Sequence, residues 1–177
     1  MSTVSGSINL SILAREVLSS GISKGAISRE FQAILDLPNG TNDQQINKCY
    51  AKRESGIGAS VTTVYDLIGS LTDEDGTTIN FDEVVLIAIR NLSSTAANYL
   101  TVGPDATAGF GAVASNKGFW ADASDRNVLN ADGDSWLVLY SKSGVPAAAG
   151  STDELAVITQ GSTSLNTWDI LILGRDN

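Results

Sequence analysis

The chain has 177 residues, 42% hydrophobic and 18% charged, a balance typical of one globular domain and outside the range of disordered chains. Eleven basic against twenty acidic residues give a net charge of −9, so the averaged field repels nucleic-acid phosphates and anionic lipids, and we expect neither as a partner. Histidine is absent and cysteine occurs once, which removes the commonest general base, the commonest transition-metal ligand and any internal disulfide.

The N-terminal region predicts a strand followed by a connector. Apolar residues alternate with polar ones, a period of two that directs one row to a core and the other to solvent, at Val4, Ile8, Leu10 and Ile12. Glycines at 21 and 25 interrupt residues 14–25, which we interpret as a connector. We therefore predict an N-terminal arm or edge strand over residues 1–25 and a sandwich domain over residues 26–177. We expect the arm to pair with a neighbouring molecule.

The remainder predicts short strands, rich in β-branched and aromatic residues and separated by Gly, Pro, Ser, Asn and Asp. They fall at residues 31–37, 46–52, 59–67, 83–92, 98–102, 135–141, 154–160 and 167–174. About nine or ten strands without a long helix imply an all-β fold, an antiparallel β-sandwich or jelly roll. The runs 84–89 and 170–173 are apolar on both faces, which indicates central strands with a cover on each side, one of them a possible second subunit.

Three consecutive acids, Asp73, Glu74 and Asp75, precede Gly76 in the stretch SLTDEDGTTINF. We interpret them as the tip of a β-hairpin, because Gly76 tolerates positive φ and the residues after it start a return strand. Adjacent side chains on such a tip point in different directions. A calcium site is therefore the weaker reading.

Other candidate sites give no specific signal. The stretch NADGDS, residues 130–135, places oxygen-bearing side chains at every second position, but its glycine comes too early for a calcium loop and Ser141 stands where a glutamate is needed. Two carboxylates can hydrolyse a glycoside without histidine, yet the acids here fall in predicted turns and no pair stands out. We predict no catalytic, cofactor-binding or metal-binding residues, no cofactor, and a protein that is not an enzyme.

Aromatic side chains are the remaining candidates for binding, as a platform on which sugars stack. They are Trp120, Trp136, Trp168, Tyr50, Tyr65, Tyr99 and Tyr140. We expect core packing or a subunit interface for most of them.

No stretch approaches the roughly 20 apolar residues that a bilayer requires, and the start MSTVSGSINL has neither the basic nor the apolar part of a secretory signal. We expect a protein made in a cytosol, without a membrane partner.

The order of segments resembles a group of small structural proteins encoded beside the head and tail genes of tailed bacteriophages. The resemblance covers roughly residues 31–174, is strongest over residues 66–91 and is weaker over residues 106–130. It is carried by LPNGTNDQQINKCYAKR, TTVYDLIGSLTDEDGTTINFDEVVLIAIRNLSS, NYLTVGPDA, DSWLVLYS and TWDILILG.

The resemblance implies a virion component made in the host cytoplasm, a β-sandwich that attaches to a capsid or tail, often as a symmetric oligomer. We expect a capsid decoration, or cement, protein on the outer capsid surface that binds across subunits of the major capsid protein. We also expect it to form a homo-oligomer, which we guess to be a trimer. A head-fibre or tail-associated adhesin is the alternative, and a carbohydrate-binding or glycoside-cleaving domain is a third.

Overall fold

A computed structural model describes residues 3–17, 26–73, 75–112, 118–161 and 165–177. These residues form twelve β-strands and no helix, which confirms the all-β prediction with more strands than the nine or ten expected. The strands are β1 (Gly6–Val17), β2 (Ala26–Leu37), β3 (Lys48–Ile57), β4 (Thr62–Asp66), β5 (Ile68–Thr72), β6 (Thr78–Asn80), β7 (Glu83–Asn91), β8 (Leu100–Pro104), β9 (Asn127–Leu129), β10 (Ser135–Pro146), β11 (Glu154–Thr159) and β12 (Asn166–Arg175). A membrane-spanning helix is not found within these ranges.

Two four-stranded antiparallel sheets make the sandwich. Sheet I has the order β10-β7-β12-β3 and sheet II has the order β4-β11-β8-β9. The two strands predicted as central, β7 and β12, occupy the middle of sheet I. Their inward rows bury Ile87, Ile89, Trp168, Ile170 and Ile172 against the inward side chains of sheet II, such as Tyr65, Leu100, Val102, Leu155 and Val157.

Trp168 and Tyr65 join the two sheets at the centre of this core. The indole Nε1 of Trp168 donates a hydrogen bond to the Tyr65 hydroxyl at 3.0 Å, and both side chains are buried. Burial raises the pKa of Tyr65 far above its ordinary value, so the phenol stays neutral. A polar tip on a large apolar ring is tolerated in a core where it finds such a partner.

Strands β1 and β2 form a separate two-stranded sheet, which we call the arm. They pair antiparallel from Gly6 opposite Leu37 to Val17 opposite Ala26. At about 3.4 Å per residue, a strand of twelve residues reaches about 40 Å. Residues 14–17, expected in a connector, continue β1 instead, while residues 18–25 lie outside the described part of the chain. The predicted boundary between residues 25 and 26 falls in the link between these two paired strands.

The acid stretch forms the predicted hairpin tip between β5 and β6. The Oδ1 atom of Asp73 accepts hydrogen bonds from the backbone N–H groups of Asp75 and Thr77, at 3.0 and 2.8 Å. Gly76 has a φ of 79°, the left-handed conformation that the turn requires of it. Glu74 lies outside the described residues.

Two other features differ from the sequence-based expectation. Leu10 and Ile12, expected to face a core, are 46% and 52% exposed, because the arm leaves the body and nothing in the described chain covers this part of it. The short strands β5 and β9 were not predicted, since five residues with an irregular register and three residues that pair only with β8 leave no clear periodic signal.

Candidate functional site

The outer face of sheet I is the most distinctive surface of the described chain. The registers of β10, β7, β12 and β3 align their outward side chains into three parallel rows. The rim row is Trp136, Arg90, Asp169 and Arg53. The trough row is Val138, Ala88, Leu171 and Ala51. The covered row is Tyr140, Leu86, Leu173 and Cys49.

The root of the arm lies on the middle of the covered row, at Leu86 and Leu173, while Tyr140 and Cys49 at its two ends are exposed. Leu86 and Leu173 are 3% and 8% exposed, and they form a second apolar cluster with Leu37 and Ile46. Partly buried side chains of the arm, among them Ile8 and Leu35, pack against this cluster. This contact attaches the arm to the outer face of the sandwich.

The trough row is partly covered: Ala88 and Leu171 are half-buried and pack against the cluster under the arm, whereas Val138 and Ala51 are exposed. A depression of about 570 Å³ lies between the trough row and the rim row, lined by Ala51, Ala88 and Leu171 on one side and by Trp136, Arg90, Asp169 and Arg53 on the other. At the edge strand β10, Val138 is 52% exposed and Trp136 is 58% exposed. Exposed apolar side chains that adjoin one another mark interaction sites more often than isolated ones do.

The charged groups of the rim row are paired with one another. Arg53 forms a two-point ion pair with Asp169, at 2.6 and 2.8 Å, and this guanidinium holds the pKa of the Asp169 carboxyl below its usual value. Arg90 binds Asp134 at 2.7 Å, and its guanidinium lies 5.1 Å from the ring centroid of Trp136. The rim therefore fixes the Trp136 ring and presents little uncompensated charge.

The arm is an amphipathic ribbon. Residues that face each other across an antiparallel pair lie on one side of it, so Ile8 and Leu35 share their side with Leu10, Ala33 and Ile12. The opposite side is mainly polar, with Ser7, Asp36, Asn9, Ser11 and Gln32, and Ile34 is its apolar exception. The apolar side packs on sheet I at the root and is exposed at Leu10, Ile12 and Ala33.

A buried arginine anchors the loop that joins the arm to the body. Arg175 is 2% exposed and pairs with the carboxylate of Glu83. Its guanidinium also donates to the backbone carbonyl of Asn42, at 2.6 Å, and to that of Ser143. Nearby, the Gln44 N–H donates to the Lys142 carbonyl at 2.8 Å. The root of the arm is thus held by polar as well as apolar contacts.

The stretch considered as a calcium loop forms a turn held by its own hydrogen bonds. In the stretch 130–135, Asp132 accepts from Ser135 Oγ and the Asp134 N–H, and Asp134 accepts from Arg90 and from the Trp136 indole, as expected for a polar turn. Across the described ranges, no group of three or more His, Cys, Asp or Glu side chains is arranged to hold a metal ion.

The aromatic residues divide into two groups. Four are buried in the core, as expected for most of them: Trp120, Trp168, Tyr50 and Tyr65. Three are exposed at 58%, 38% and 37%: Trp136, Tyr99 and Tyr140. Of these, Trp136 and Tyr140 lie on the same side of β10, with Val138 between them.

Sequence reasoning missed the three rows and the role of Arg175. One signal for the rows was present: SWLVLYS is apolar at successive positions, which on an edge strand means apolar side chains on the outer as well as the inner face. No local pattern marks Arg175, because its partners lie 32 to 133 residues away along the chain.

Comparison of the chain with protein-family models, with curated proteins and with solved structures gives no match in any of the three. The functional argument therefore depends on the surfaces described above.

Proposed function

We propose that this protein is a structural component of a bacteriophage virion, a decoration protein that binds the outer surface of the capsid. The observation that carries the proposal is a pair of exposed apolar surfaces, Leu10 and Ile12 on the arm and Trp136 and Val138 at the edge of sheet I. A protein that joins subunits of a shell needs at least two binding surfaces. Proteins that act alone seldom expose such surfaces, because exposed apolar area promotes association.

The charge of the chain is consistent with a place outside the shell. A net charge of −9 favours solvent and disfavours the DNA-filled interior. The partners in this proposal are the major capsid protein and further copies of the chain. Each contact is individually modest, and many copies on a regular lattice add up to a stable coat.

The proposal is tested on particles of a phage that encodes the chain. Purified heads, washed and analysed by quantitative mass spectrometry, should carry hundreds of copies, and a cryo-electron map should place them on the outer surface across capsid subunits. A dozen copies or fewer, or density restricted to the tail, would exclude decoration and favour an adhesin.

Glycan binding is the second candidate function, and it is favoured by the two exposed aromatic residues of β10, Trp136 and Tyr140. Trp136 and Tyr140 expose aromatic side chains on the same side of one strand, and an exposed aromatic ring is one means of contacting a sugar. An adhesin of this type would lose glycan-array binding in Trp136→Ala. A decoration protein would show no array signal in either form.

A further inference from the structure

The sandwich has four edge strands in the described chain, and they differ in how well they resist pairing with another strand. Natural edge strands avoid such pairing by being short, by bulges, or by carrying charges or proline. In sheet II, the edges β4 and β9 have only five and three residues. In sheet I, the edge β3 carries four charged residues: Lys48, Lys52, Arg53 and Glu54. The fourth edge, β10, has twelve residues, and residues 135–141 of it include no charge and no proline.

Residues 135–141, which we call the open edge, have a paired side and a free side. Residues 135–140 pair with β7, and within the described chain no backbone hydrogen bond reaches the open edge from its other side. The edge ends at Lys142, whose carbonyl accepts from the Gln44 N–H at 2.8 Å. Free N–H and C=O groups along an edge strand are a template on which a further strand can add.

The outward side chains of the open edge are symmetric about Val138. If two copies run antiparallel with their Val138 residues opposite each other, Trp136 of each copy lies opposite Tyr140 of the other. Opposite residues of an antiparallel pair point to the same face, so exposed aromatic side chains meet there. The same register brings Asp134, which is 63% exposed although it binds Arg90, opposite the exposed Lys142. Opposite charges therefore face each other at both ends of the contact.

The inward side chains follow the same symmetry. Leu137 and Leu139 are half-buried against the core, and each lies opposite the other leucine of the second copy. A register centred on Leu137 would instead place Asp134 opposite Tyr140. The stretch is thus complementary to itself in one antiparallel register, which identifies a second copy as the strand that fits this edge.

We propose that two copies of this chain pair edge to edge through β10, antiparallel and centred on Val138, so that two four-stranded sheets become one continuous sheet. The contact is two-fold symmetric and closes on itself, because each copy uses its own open edge. The inference rests on the proposed function only in taking further copies of the chain as partners, and it specifies a dimer where the resemblance suggested a trimer. It is tested on purified protein, so its failure and that of the virion role are separately observable.

The length of the open edge sets the strength of the contact. A ladder over this stretch gives about six to eight backbone hydrogen bonds, a number that ordinary protein interfaces also have. The stretch is about 24 Å long, which places the buried area at the lower end of specific interfaces. We therefore expect a dimer with a Kd on the order of 10–100 µM.

Two measurements on the unaltered full chain test the dimer and its location. Sedimentation equilibrium should show a monomer–dimer transition between about 1 µM and 1 mM. Hydrogen exchange should show that the open-edge amides directed away from β7 exchange about fivefold or more slowly at 1 mM than at 1 µM, since most of the protein is then paired. The amides of β4 should exchange at the same rate at both concentrations.

The symmetry centre is tested with opposite charges at one position. Val138 is 52% exposed, so the thermal unfolding of dilute Val138→Lys and Val138→Glu should be close to that of the wild type. Each variant alone places two like charges directly opposite each other and should dimerise at least about tenfold more weakly than the wild type. A one-to-one mixture of the two variants brings opposite charges together and should restore the dimer.

Val64→Lys is the matched control, because Val64 is a 42% exposed valine on the sheet II edge β4. It should dimerise as the wild type does. The inference is overturned if the wild type stays monomeric at about 1 mM or if its open-edge amides exchange equally fast at both concentrations. It is also overturned if Val138→Lys dimerises as well as the wild type, if the mixed variants stay monomeric, or if Val64→Lys abolishes the dimer.

Discussion

Arg175 gives the sharpest test of how the arm is held, through the substitution Arg175→Met. Methionine has a similar length and fills the same space, so the change removes the hydrogen bonds and the charge and leaves most of the packing. Glu83 then keeps a charged side chain that is only 26% exposed, without its arginine partner. Two backbone carbonyls, those of Asn42 and Ser143, also lose a donor.

The magnitude follows from that burial. Removing one partner of a buried ion pair costs about 3–5 kcal/mol, and the partial exposure of Glu83 lets water offset some of it, so we expect a loss of about 3 kcal/mol in the free energy of unfolding. For a chain of this size, that corresponds to a fall in Tm of about 6–12 °C. Adding Glu83→Gln removes the stranded charge, and the double variant should recover at least about 1 kcal/mol.

Urea unfolding followed by tryptophan fluorescence measures both effects, and hydrogen exchange should show faster opening of the loop around Gln44. The control is Arg53→Met, which breaks a two-point ion pair whose arginine is 62% exposed and should leave the unfolding midpoint unchanged. The anchoring role would be contradicted if the free energy of unfolding of Arg175→Met lay within about 1 kcal/mol of the wild-type value. It would also be contradicted if the double variant were less stable than Arg175→Met alone.

Three further substitutions test the core and the turns. Trp168→Phe leaves the buried Tyr65 hydroxyl without its hydrogen-bond donor and should lower the free energy of unfolding in urea by about 1–3 kcal/mol. The same substitution made in Tyr65→Phe should cost less, and the difference measures the coupling between the two side chains; equal losses would contradict it. Gly174→Ala places a Cβ 2.3 Å from a backbone carbonyl and should lower Tm, whereas Gly58→Ala, with its nearest atom at 3.9 Å, should not; equal Tm values would contradict the close packing. Asp73→Ala removes two hydrogen bonds from the hairpin tip and should cost about 1 kcal/mol, with faster exchange confined to the tip; loss across the whole domain would contradict a local role.

The parts of the fold that local sequence could predict are those with a period of two or a turn signal. β7 and β12 were recognised as central because apolar residues occur on both of their faces, and the acid tip was recognised because Gly76 supplies the positive φ that its turn needs. In each case the signal lies within about ten residues.

The surfaces could not be predicted in the same way, because each is assembled from strands that are distant in the chain. The trough row takes one residue from each of four strands, between Ala51 and Leu171, and only the registers bring them together. The period of two at Leu10 and Ile12 correctly gave a strand, but alternation alone does not say whether the apolar side meets this molecule or another.

The most direct test of the account is the occupancy of phage heads by variants of the arm. Particles assembled with the double variant Leu10→Asn and Ile12→Asn should retain far fewer copies after washing than particles with the wild type or with Ile34→Asn on the opposite side of the arm. Equal retention of all three forms would contradict the claim that the apolar side of the arm holds this protein in the coat. Absence of the wild-type chain from washed heads would contradict the virion role itself.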